Sequence, residues 1–343
     1  MSTRASITDW VAHTRLDCLE NTMPSLRILS ESQVKTVVNF ASAKKAVEQA
    51  YGDFARLPYV QSIPSIMRIP GPRPHLGNPA LGQYRVKGAS VPAVEAAGTF
   101  LSARDYGYMF MWDTNTDEPV GLVACDWLSQ YRVAITMVVA IKALGLAKIN
   151  KIAFFGAGKY AFEGAKLLAI EWPEAELVVV ATRQESADNF AELMPRKVTA
   201  SIDPGAAAEG ADVIVTITNT AAPFLKSDWV KPGALVLSMG SAHELDIDVL
   251  KQADALIVDD LSYACTQGDL AAWLRRDEVT EEQITHHLRG NIGEVVAGLK
   301  PGRLNDEERI LAVIQGLTAC DVGMTKAVLD RAIEQGVGEV AAA

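Results

Sequence analysis

The stretch Lys151–Gln184 reads KIAFFGAGKYAFEGAKLLAIEWPEAELVVVATRQ and decides the fold. It consists of an apolar run at Ile152–Phe155, a turn containing Gly156 and Gly158, a stretch with helical spacing, and a second apolar run at Leu177–Ala181. A strand, a glycine-rich turn, a helix and another buried strand in this order are typical of the first βαβ unit of a dinucleotide-binding fold.

The glycine-rich turn predicts how a dinucleotide is held. Gly156 makes the tight turn, Gly158 lets backbone N–H groups approach a pyrophosphate, and Ala161 is small enough for the helix to lie close to the strand. The predicted cofactor-binding residues of this loop are Gly156, Ala157, Gly158, Lys159, Tyr160 and Ala161. A glycine-rich turn without a ligand is the alternative.

Apolar runs and helical stretches alternate after this unit. We predict strands within Ala211–Thr220, Gly233–Ser241 and Ala253–Asp260, and helices such as Gln184–Met194 and Ile247–Gln252. This alternation predicts an α/β fold with a doubly wound parallel sheet of the Rossmann type. Ligands bind such sheets outside the carboxyl ends of the strands. The predicted cofactor-binding residues in these later loops are Thr218, Asn219, Met239, Gly240 and Ser241.

The end of the second strand indicates which dinucleotide is bound. Enzymes that use NAD normally place Asp or Glu there, where it accepts a hydrogen bond from the ribose 2′-hydroxyl. This chain has Thr182 and Arg183 instead, and a guanidinium is suited to a 2′-phosphate. We therefore predict that NADP(H) is favoured and that Thr182 and Arg183 contact it. If Arg183 is an ordinary solvated charge, NAD(H) stays open.

Composition and charge exclude several functions. The 343 residues carry a formal net charge of −10, which argues against a nucleic-acid partner. The longest apolar run, Val133–Ile141, is far short of the roughly 20 residues that span a bilayer, so no membrane partner is expected. The histidines and cysteines lack metal-ligand spacing, so no metal is predicted. Scattered cysteines and a charged N-terminal stretch indicate a cytoplasmic protein.

The chain divides into two predicted domains. Residues 146–304 form the dinucleotide-binding domain, and residues 1–145 together with 305–343 form a smaller α+β domain for substrate binding and dimerisation. The predicted elements of the smaller domain are strands at Tyr84–Val91, Tyr106–Asp113 and Pro119–Cys125, a long helix from Asp126 as N-cap to Leu144, and a returning helix within Asn305–Gln335.

Several motifs follow one another in a characteristic order. They are YRVKGASVP at 84–92, DWLSQYRVAITMVVAIKALG at 126–145, FFGAGKYA at 154–161, DWVKPGALVLSMGS at 228–241 and IGEVVAGLKPGR at 292–303. From about Leu26 to the C-terminus this series resembles the ornithine cyclodeaminase/μ-crystallin family. The resemblance implies a homodimer in which the first domain supplies both the dimer interface and the substrate pocket.

The resemblance also implies two catalytic residues. Lys87 stands where the family has its active-site lysine, and Arg132 stands where it has an arginine at the start of the long helix, although Val133 replaces the family's threonine. An α-imino or α-amino acid needs a fixed cation for its carboxylate, and arginine provides one bidentately. A lysine beside other cations can have a lowered pKa and act as acid or base. Without this context, both would be interpreted as surface charges.

One departure from the family concerns the substrate pocket. Relatives usually carry another arginine where this chain has Pro64 or Ser65. Arg68 and Arg85 are the candidate substrate-binding residues that would replace it.

A second departure lies in the loop that reads MGSAHELD from Met239 to Asp246. Ornithine cyclodeaminase has an aspartate in this loop that handles the side-chain amine of ornithine, and here Ser241 and His243 are the polar residues. The loss favours simple imine reduction or amine oxidation over cyclisation. His243 is a candidate proton donor, but a solvated loop histidine is the favoured interpretation.

The expected function is therefore an NAD(P)-dependent imine reductase or amino-acid dehydrogenase that acts on a small amino or imino acid. Two alternatives stay open: a lyase of the ornithine cyclodeaminase kind that uses NAD catalytically, and a ligand-binding protein without catalysis, as μ-crystallin is.

Overall fold

The computed structural model describes residues 25–57, 60–62, 66–69, 84–103, 106–220 and 222–342. Residues 1–24 lie outside these ranges, as do Pro64 and Ser65, the predicted place of the family arginine. The described chain is built around two sheets, one parallel and one mainly antiparallel. None of the described helices is both long and apolar enough to cross a membrane.

The parallel sheet confirms the predicted α/β Rossmann architecture. Its eight strands lie in the order β13-β12-β14-β11-β10-β7-β8-β9, and every neighbouring pair is parallel. The strands are β7 (Lys151–Phe155), β8 (Glu176–Val180), β9 (Thr199–Ser201), β10 (Val213–Thr216), β11 (Leu235–Ser238), β12 (Ala255–Val258), β13 (Leu288–Asn291) and β14 (Ile310–Val313). The chain order reverses between β7 and β10, which is where a doubly wound sheet opens a ligand crevice.

The other sheet is mainly antiparallel, and we call it the first sheet because most of its strands precede the parallel sheet in the chain. Its seven strands lie in the order β15-β1-β6-β5-β4-β3-β2, and only β1 and β6 run parallel. They are β1 (Ser25–Leu29), β2 (Met67–Ile69), β3 (Tyr84–Val91), β4 (Ala96–Ala103), β5 (Tyr106–Asp113), β6 (Pro119–Ala124) and β15 (Glu339–Ala342). Strands β1, β4 and β15 were not predicted.

The helices cover both sheets. In chain order they are α1 (Glu31–Val37), α2 (Phe40–Arg56), α3 (Asp126–Leu144), α4 (Lys159–Glu171), α5 (Gln184–Glu192), α6 (Pro204–Ala208), α7 (Asp248–Lys251), α8 (Leu261–Ala264), α9 (Gly268–Arg275), α10 (Glu281–His287), α11 (Ile292–Val296) and α12 (Thr318–Glu334). Helix α12 packs on α2 and on the first sheet, as expected for a returning helix.

Two element predictions are corrected by the structure. Residues Ile310–Val313 form a central strand of the parallel sheet, so the helix predicted within 305–335 begins only at Thr318. Asp126 is the first helical residue of α3, and the N-cap is Cys125, which makes no side-chain capping bond. Gly145 ends this helix as predicted.

Helix α3 lies between helices α2 and α4. Twelve of its 19 residues are buried, and it packs against both of these helices. A side chain at Gly164 of α4 would collide with the sulfur of Met137, so this glycine allows α3 and α4 to approach closely. Arg132 is therefore held on a helix that is packed on two sides.

Candidate active site

The glycine-rich loop between β7 and α4 has the geometry of a phosphate-binding turn. Gly156 has φ of +133°, and a Cβ there would lie 2.5 Å from the carbonyl oxygen of Ile217, so only glycine fits. A Cβ at Gly158 would meet nothing within 4 Å, which leaves the backbone open to a ligand. Helix α4 begins directly afterwards at Lys159, and Ala161 is buried beneath the loop. These features fit a dinucleotide, because N–H groups at a helix N-terminus favour an anion.

The segment after β8 is open to solvent. Thr182 and Arg183 are exposed, and Arg183 is the N-cap residue of α5. The nearby turn is tied to β9 by a hydrogen bond from the Ala181 N–H to the Ser201 carbonyl (3.2 Å). The position therefore combines an exposed cation with the absence of an acid, as the sequence predicts.

The loops after β10 and β11 are joined by a buried glutamate. Glu244 accepts hydrogen bonds from the Thr218 N–H (2.5 Å), the Thr216 hydroxyl (2.9 Å) and the Gly240 N–H (3.0 Å). Burial, followed by the charge of Asp269, raises the pKa of Glu244 to about 7 despite these bonds. Glu244 thus fixes the backbone of two loops in which cofactor contacts are predicted. In these loops Asn219 and Ser241 are exposed, and Met239 is half-buried against the hydrophobic core.

His243 differs from the favoured sequence interpretation. Its side chain is buried, not solvated, and its ring meets Trp273 edge-on at 6.5 Å. Neither ring nitrogen has a hydrogen-bond partner in the described structure. The reason is the shape of the loop: the N–H of His243 bonds to the Thr220 carbonyl, and the next residue, Glu244, is pinned to Asp269. The ring is thereby drawn under the loop toward α9.

Lys87 lies on the inner face of the first sheet. It is directly opposite Phe100, and its Nζ lies 5.5 Å from the centre of that ring. Burial lowers the pKa of Lys87 to about 8. Asp321 opposes this shift, and Arg132 assists it. The ammonium therefore titrates close to the physiological range, as a residue that gives or takes a proton should.

Arg132 is bound to a residue that the sequence reasoning missed. Its Nε and Nη2 donate to the two carboxylate oxygens of Asp321 at 2.7 and 3.3 Å, and both side chains are buried. Burial acts to lower the pKa of Arg132, but the charge and hydrogen bonds of Asp321 shift it upward overall. The pair does not involve Nη1, for which the described structure shows no hydrogen bond. A Cβ at Gly316 (φ +98°) would come within 2.8 Å of that nitrogen, so glycine makes room for it.

A chain of contacts connects this cation to the cofactor loops. Gly316 donates to the buried carboxylate of Asp259, and the neighbouring Gln315 donates to the Gly240 carbonyl (3.1 Å). Gln61 of the first domain accepts from the Thr318 N–H (2.7 Å) and donates to Asp260 (3.3 Å). These contacts place Arg132 beside the loops at the carboxyl edge of the parallel sheet, and we call the region between them the cleft.

Arg68 and Arg85 belong to the same sheet as Lys87. They lie directly opposite each other on β2 and β3, on the face that also carries Lys87. Arg68 donates to Gln267 (3.3 Å), which immediately precedes α9. The structure thus brings the predicted substrate residues Lys87, Arg132, Arg68 and Arg85 near one another, and all three arginines act to lower the pKa of Lys87. Thr182 and Arg183 follow β8, on the other side of β7 in the sheet. Within the described ranges, no group of three His, Cys, Asp or Glu side chains could hold a metal.

One feature of the sequence could have indicated the role of Asp321, which the motif analysis did not predict. Asp321 is the only acid in the helix stretch TACDVGMTKAVL, where its neighbours are small or apolar. A carboxylate on a buried helix face needs a cation as partner, but nothing in the spacing says which one.

Comparisons with known proteins agree with this architecture. The model of the ornithine cyclodeaminase/mu-crystallin family matches residues 102–336. The chain belongs to this family. The resemblance drawn from the sequence motifs is therefore confirmed.

The relatives within this family include dehydrogenases and reductases. The chain is 27% identical to an alanine dehydrogenase of Archaeoglobus fulgidus, over 91% of this chain and 96% of the relative. Among solved structures, it is similar to an archaeal alanine dehydrogenase dimer with bound NAD (TM-score 0.77, 24% identity, 92% and 99% of the two chains). It is also similar to the Δ1-pyrroline-2-carboxylate reductase of Thermococcus litoralis in complex with NADH and L-proline (TM-score 0.76, 21% identity, 92% and 99%).

Proposed function

We propose that the protein is an NAD(P)-dependent oxidoreductase that interconverts a small α-imino or cyclic ketimine acid and the corresponding α-amino acid. The observation that carries the proposal is the proximity of Lys87 to the Arg132–Asp321 pair, together with the contacts that join this pair to the loop after β11. Relatives named as alanine dehydrogenase and pyrroline-2-carboxylate reductase support the same reaction class. A cytoplasmic location is part of the proposal, since both reduced dinucleotides are available there.

In this proposal the protein binds, orients and protonates. A bound dinucleotide would lie on the loops after β7, β10 and β11 and supply the hydride. Arg132, through Nη1, and Lys87 hold the substrate carboxylate, which aligns the C=N carbon with the sheet edge. Lys87 Nζ, directly or through water, gives a proton to the substrate nitrogen as the carbon accepts the hydride pair. In the reverse direction, neutral Lys87 takes that proton back.

The test is a 340 nm absorbance assay with NADPH and NADH, in which 2-oxo acids are supplied with ammonia or methylamine and preformed cyclic ketimines are included. Oxidation of either dinucleotide supports the proposal when it depends on both the 2-oxo acid and the amine, or on a cyclic ketimine alone. Release of ammonia from ornithine with no net change at 340 nm would replace it with a lyase. Tight dinucleotide binding without any turnover would leave a binding protein.

Preference for NADP(H) is the finer part of the cofactor proposal and is supported by Arg183. We expect Arg183→Ala to raise the KM for NADPH roughly tenfold, because one charge-assisted contact to the 2′-phosphate is lost. The KM for NADH should change less than about twofold. Arg275→Ala, at another exposed arginine, serves as the matched control. Equal effects on both dinucleotides would contradict a role at the 2′-phosphate.

A homodimer is the second finer proposal, and the outer face of the first sheet supports it. Large apolar side chains are exposed on or near this face: Met67, Ile69, Tyr84, Leu101, Tyr106, Tyr108 and Trp112. Leu101 and Tyr108 are directly opposite each other and are 49% and 46% exposed. A contiguous apolar patch of this kind on a soluble surface marks a protein interface.

The dimer is tested by introducing charge into that face. We expect the wild-type protein to have twice the chain mass of 36.9 kDa in multi-angle light scattering, and Leu101→Glu/Tyr108→Glu to have the single mass, because two buried carboxylates would lack partners. Leu193→Glu, at an apolar residue that is 66% exposed on the other domain, is the control and should keep the wild-type mass. A wild-type monomer, or a charged variant that stays dimeric, would refute this interface.

A further inference from the structure

The cleft contains two more cations than one carboxylate needs. Arg68 and Arg85 are directly opposite each other on adjacent strands, and Lys87 is two residues beyond Arg85 on the same face. All three side chains are only half-buried. Among the described residues none of the three forms an ion pair, and the hydrogen bond found for Arg68 is to the neutral amide of Gln267.

This arrangement is unfavourable unless an anion joins it. Like charges directly opposite each other across two strands destabilise the pair. Burial lowers the pKa of Arg68; Tyr263 opposes this shift and Arg85 adds to it. In an acidic chain, two guanidinium groups held together without a carboxylate indicate a position that is completed by a negatively charged ligand group.

The cofactor phosphates are in the wrong place to be that group. Gln267, which Arg68 contacts, follows β12, and its neighbour Gly268 bonds to Ser241 after β11. The glycine-rich loop follows β7, which is two positions from β11 and four from β12 in the sheet. At ~4.8 Å for each strand, the separation is roughly 10–19 Å. The arginine pair therefore faces the substrate end of the cleft.

Among the described residues, the loops opposite the arginine pair offer no acid that is not already hydrogen-bonded within the protein for a substrate ammonium. The loop segment Met239–His243 contains no acidic residue. Asp260, which lies near the cleft, already accepts hydrogen bonds from Gln61, from the Ser262 hydroxyl and from the Tyr263 N–H. The electrostatics of this end of the cleft select for negative rather than positive substrate side chains.

We propose that Arg68 and Arg85 bind a second carboxylate, so that the preferred substrate is a short α-imino or α-amino dicarboxylic acid. The α-carboxylate then lies at Lys87 and Arg132, and the side-chain carboxylate lies at the arginine pair. Residues two apart on a strand are about 6.6 Å apart, a span that the carboxylates of a four- or five-carbon dicarboxylic acid reach with help from flexible arginine side chains. This inference deepens the proposed function and rests on it.

The experiment compares imines of dicarboxylic and monocarboxylic 2-oxo acids. Wild-type protein, Arg68→Met, Arg85→Met and the exposed-arginine control Arg275→Met are assayed with ammonia plus oxaloacetate, 2-oxoglutarate or pyruvate. We expect wild-type kcat/KM to be highest with one of the two dicarboxylic acids. Either cleft variant should lose at least about 30-fold with that acid and less than about threefold with pyruvate, since only the dicarboxylic acid loses a charge-assisted hydrogen bond to its second carboxylate. The control should match wild type with all three.

Each outcome separates this inference from the proposed function. Faster turnover of pyruvate than of both dicarboxylic acids, or equal losses with all acids in the arginine variants, overturns the inference and leaves the reductase intact. If nothing is turned over, the proposed function fails, and calorimetric titration with succinate and with propionate then decides the inference. Succinate binding that is stronger than propionate binding and is abolished by Arg68→Met supports a dicarboxylate site, whereas equal binding of the two refutes it.

Discussion

Replacement of Lys87 by methionine is expected to reduce kcat/KM for imine reduction by about 10²- to 10⁴-fold, the range that a positioned proton donor contributes. Methionine keeps the apolar stem that packs by Phe100 and removes only the charge and the proton. The affinity for the dinucleotide should stay within about twofold, because the glycine-rich loop belongs to the other sheet. Steady-state kinetics and a fluorescence titration of NADPH measure the two quantities.

The pH dependence gives the same residue a specific signature. The pKa of Lys87 is lowered to about 8, so the ammonium form is fully present well below pH 8 and is lost above it. In the reductive direction kcat/KM should therefore be level below pH 8 and fall tenfold for each further pH unit. In the oxidative direction, which needs neutral lysine, it should rise toward pH 8 and then level off.

Two controls decide whether the effect belongs to Lys87. Lys251→Met removes a lysine whose side chain is 59% exposed and should leave rate and pH profile unchanged. Lys87→Arg keeps a cation but cannot titrate in this range. The falling limb of the reductive pH profile, in which kcat/KM declines above pH 8, should therefore disappear. Full activity of Lys87→Met, or a limb near pH 8 that persists in both Lys87 variants, would show that another group donates the proton.

The part of the fold that local pattern determines could be predicted from the sequence. The glycine-rich turn with Gly156 and Gly158 lies directly between a strand and a helix. The backbone at Gly156 has a positive φ that only glycine adopts easily, so the presence of glycine at this position predicts the backbone conformation. The same holds for the long helix α3, whose end is marked by Gly145. Lys87 and Arg132 came from motif resemblance, because isolated charges carry no such local signal.

The remaining parts depend on contacts that sequence spacing does not encode. Arg132 and Asp321 form an ion pair although 189 residues separate them in the sequence. His243 is buried because its loop is hydrogen-bonded to Asp269 of helix α9 and its ring packs against Trp273 of the same helix. The run Ile310–Val313 is four residues long, too short for periodicity to separate a buried strand from a helix turn, and its place in the sheet is set by pairing with β11 and β12.

Asp321→Ala should be the most destabilising single change in the site. The variant leaves the guanidinium of Arg132 buried without a counter-charge, which costs about 3–5 kcal/mol of unfolding free energy. Urea denaturation measures the loss. The control is Asp248→Ala, which breaks an ion pair whose side chains are both 59% exposed, and which should cost no more than about 1 kcal/mol. The double variant Arg132→Met/Asp321→Leu, which removes both charges, should regain most of the stability but no activity.

Asp321→Asn separates structural support from an electrostatic role at Lys87. The asparagine keeps the shape of the side chain but not the charge, and the charge of Asp321 raises the pKa of Lys87 against the effect of burial. The limb of the reductive pH profile should therefore move below pH 8 in Asp321→Asn, and above pH 8 in Arg132→Met, since Arg132 lowers that pKa. A purely structural aspartate would change stability and leave the limb in place. Opposite shifts from the two partners of one ion pair would instead show that the pair sets the proton affinity of Lys87, because loss of stability alone cannot move a kinetic pKa in two directions.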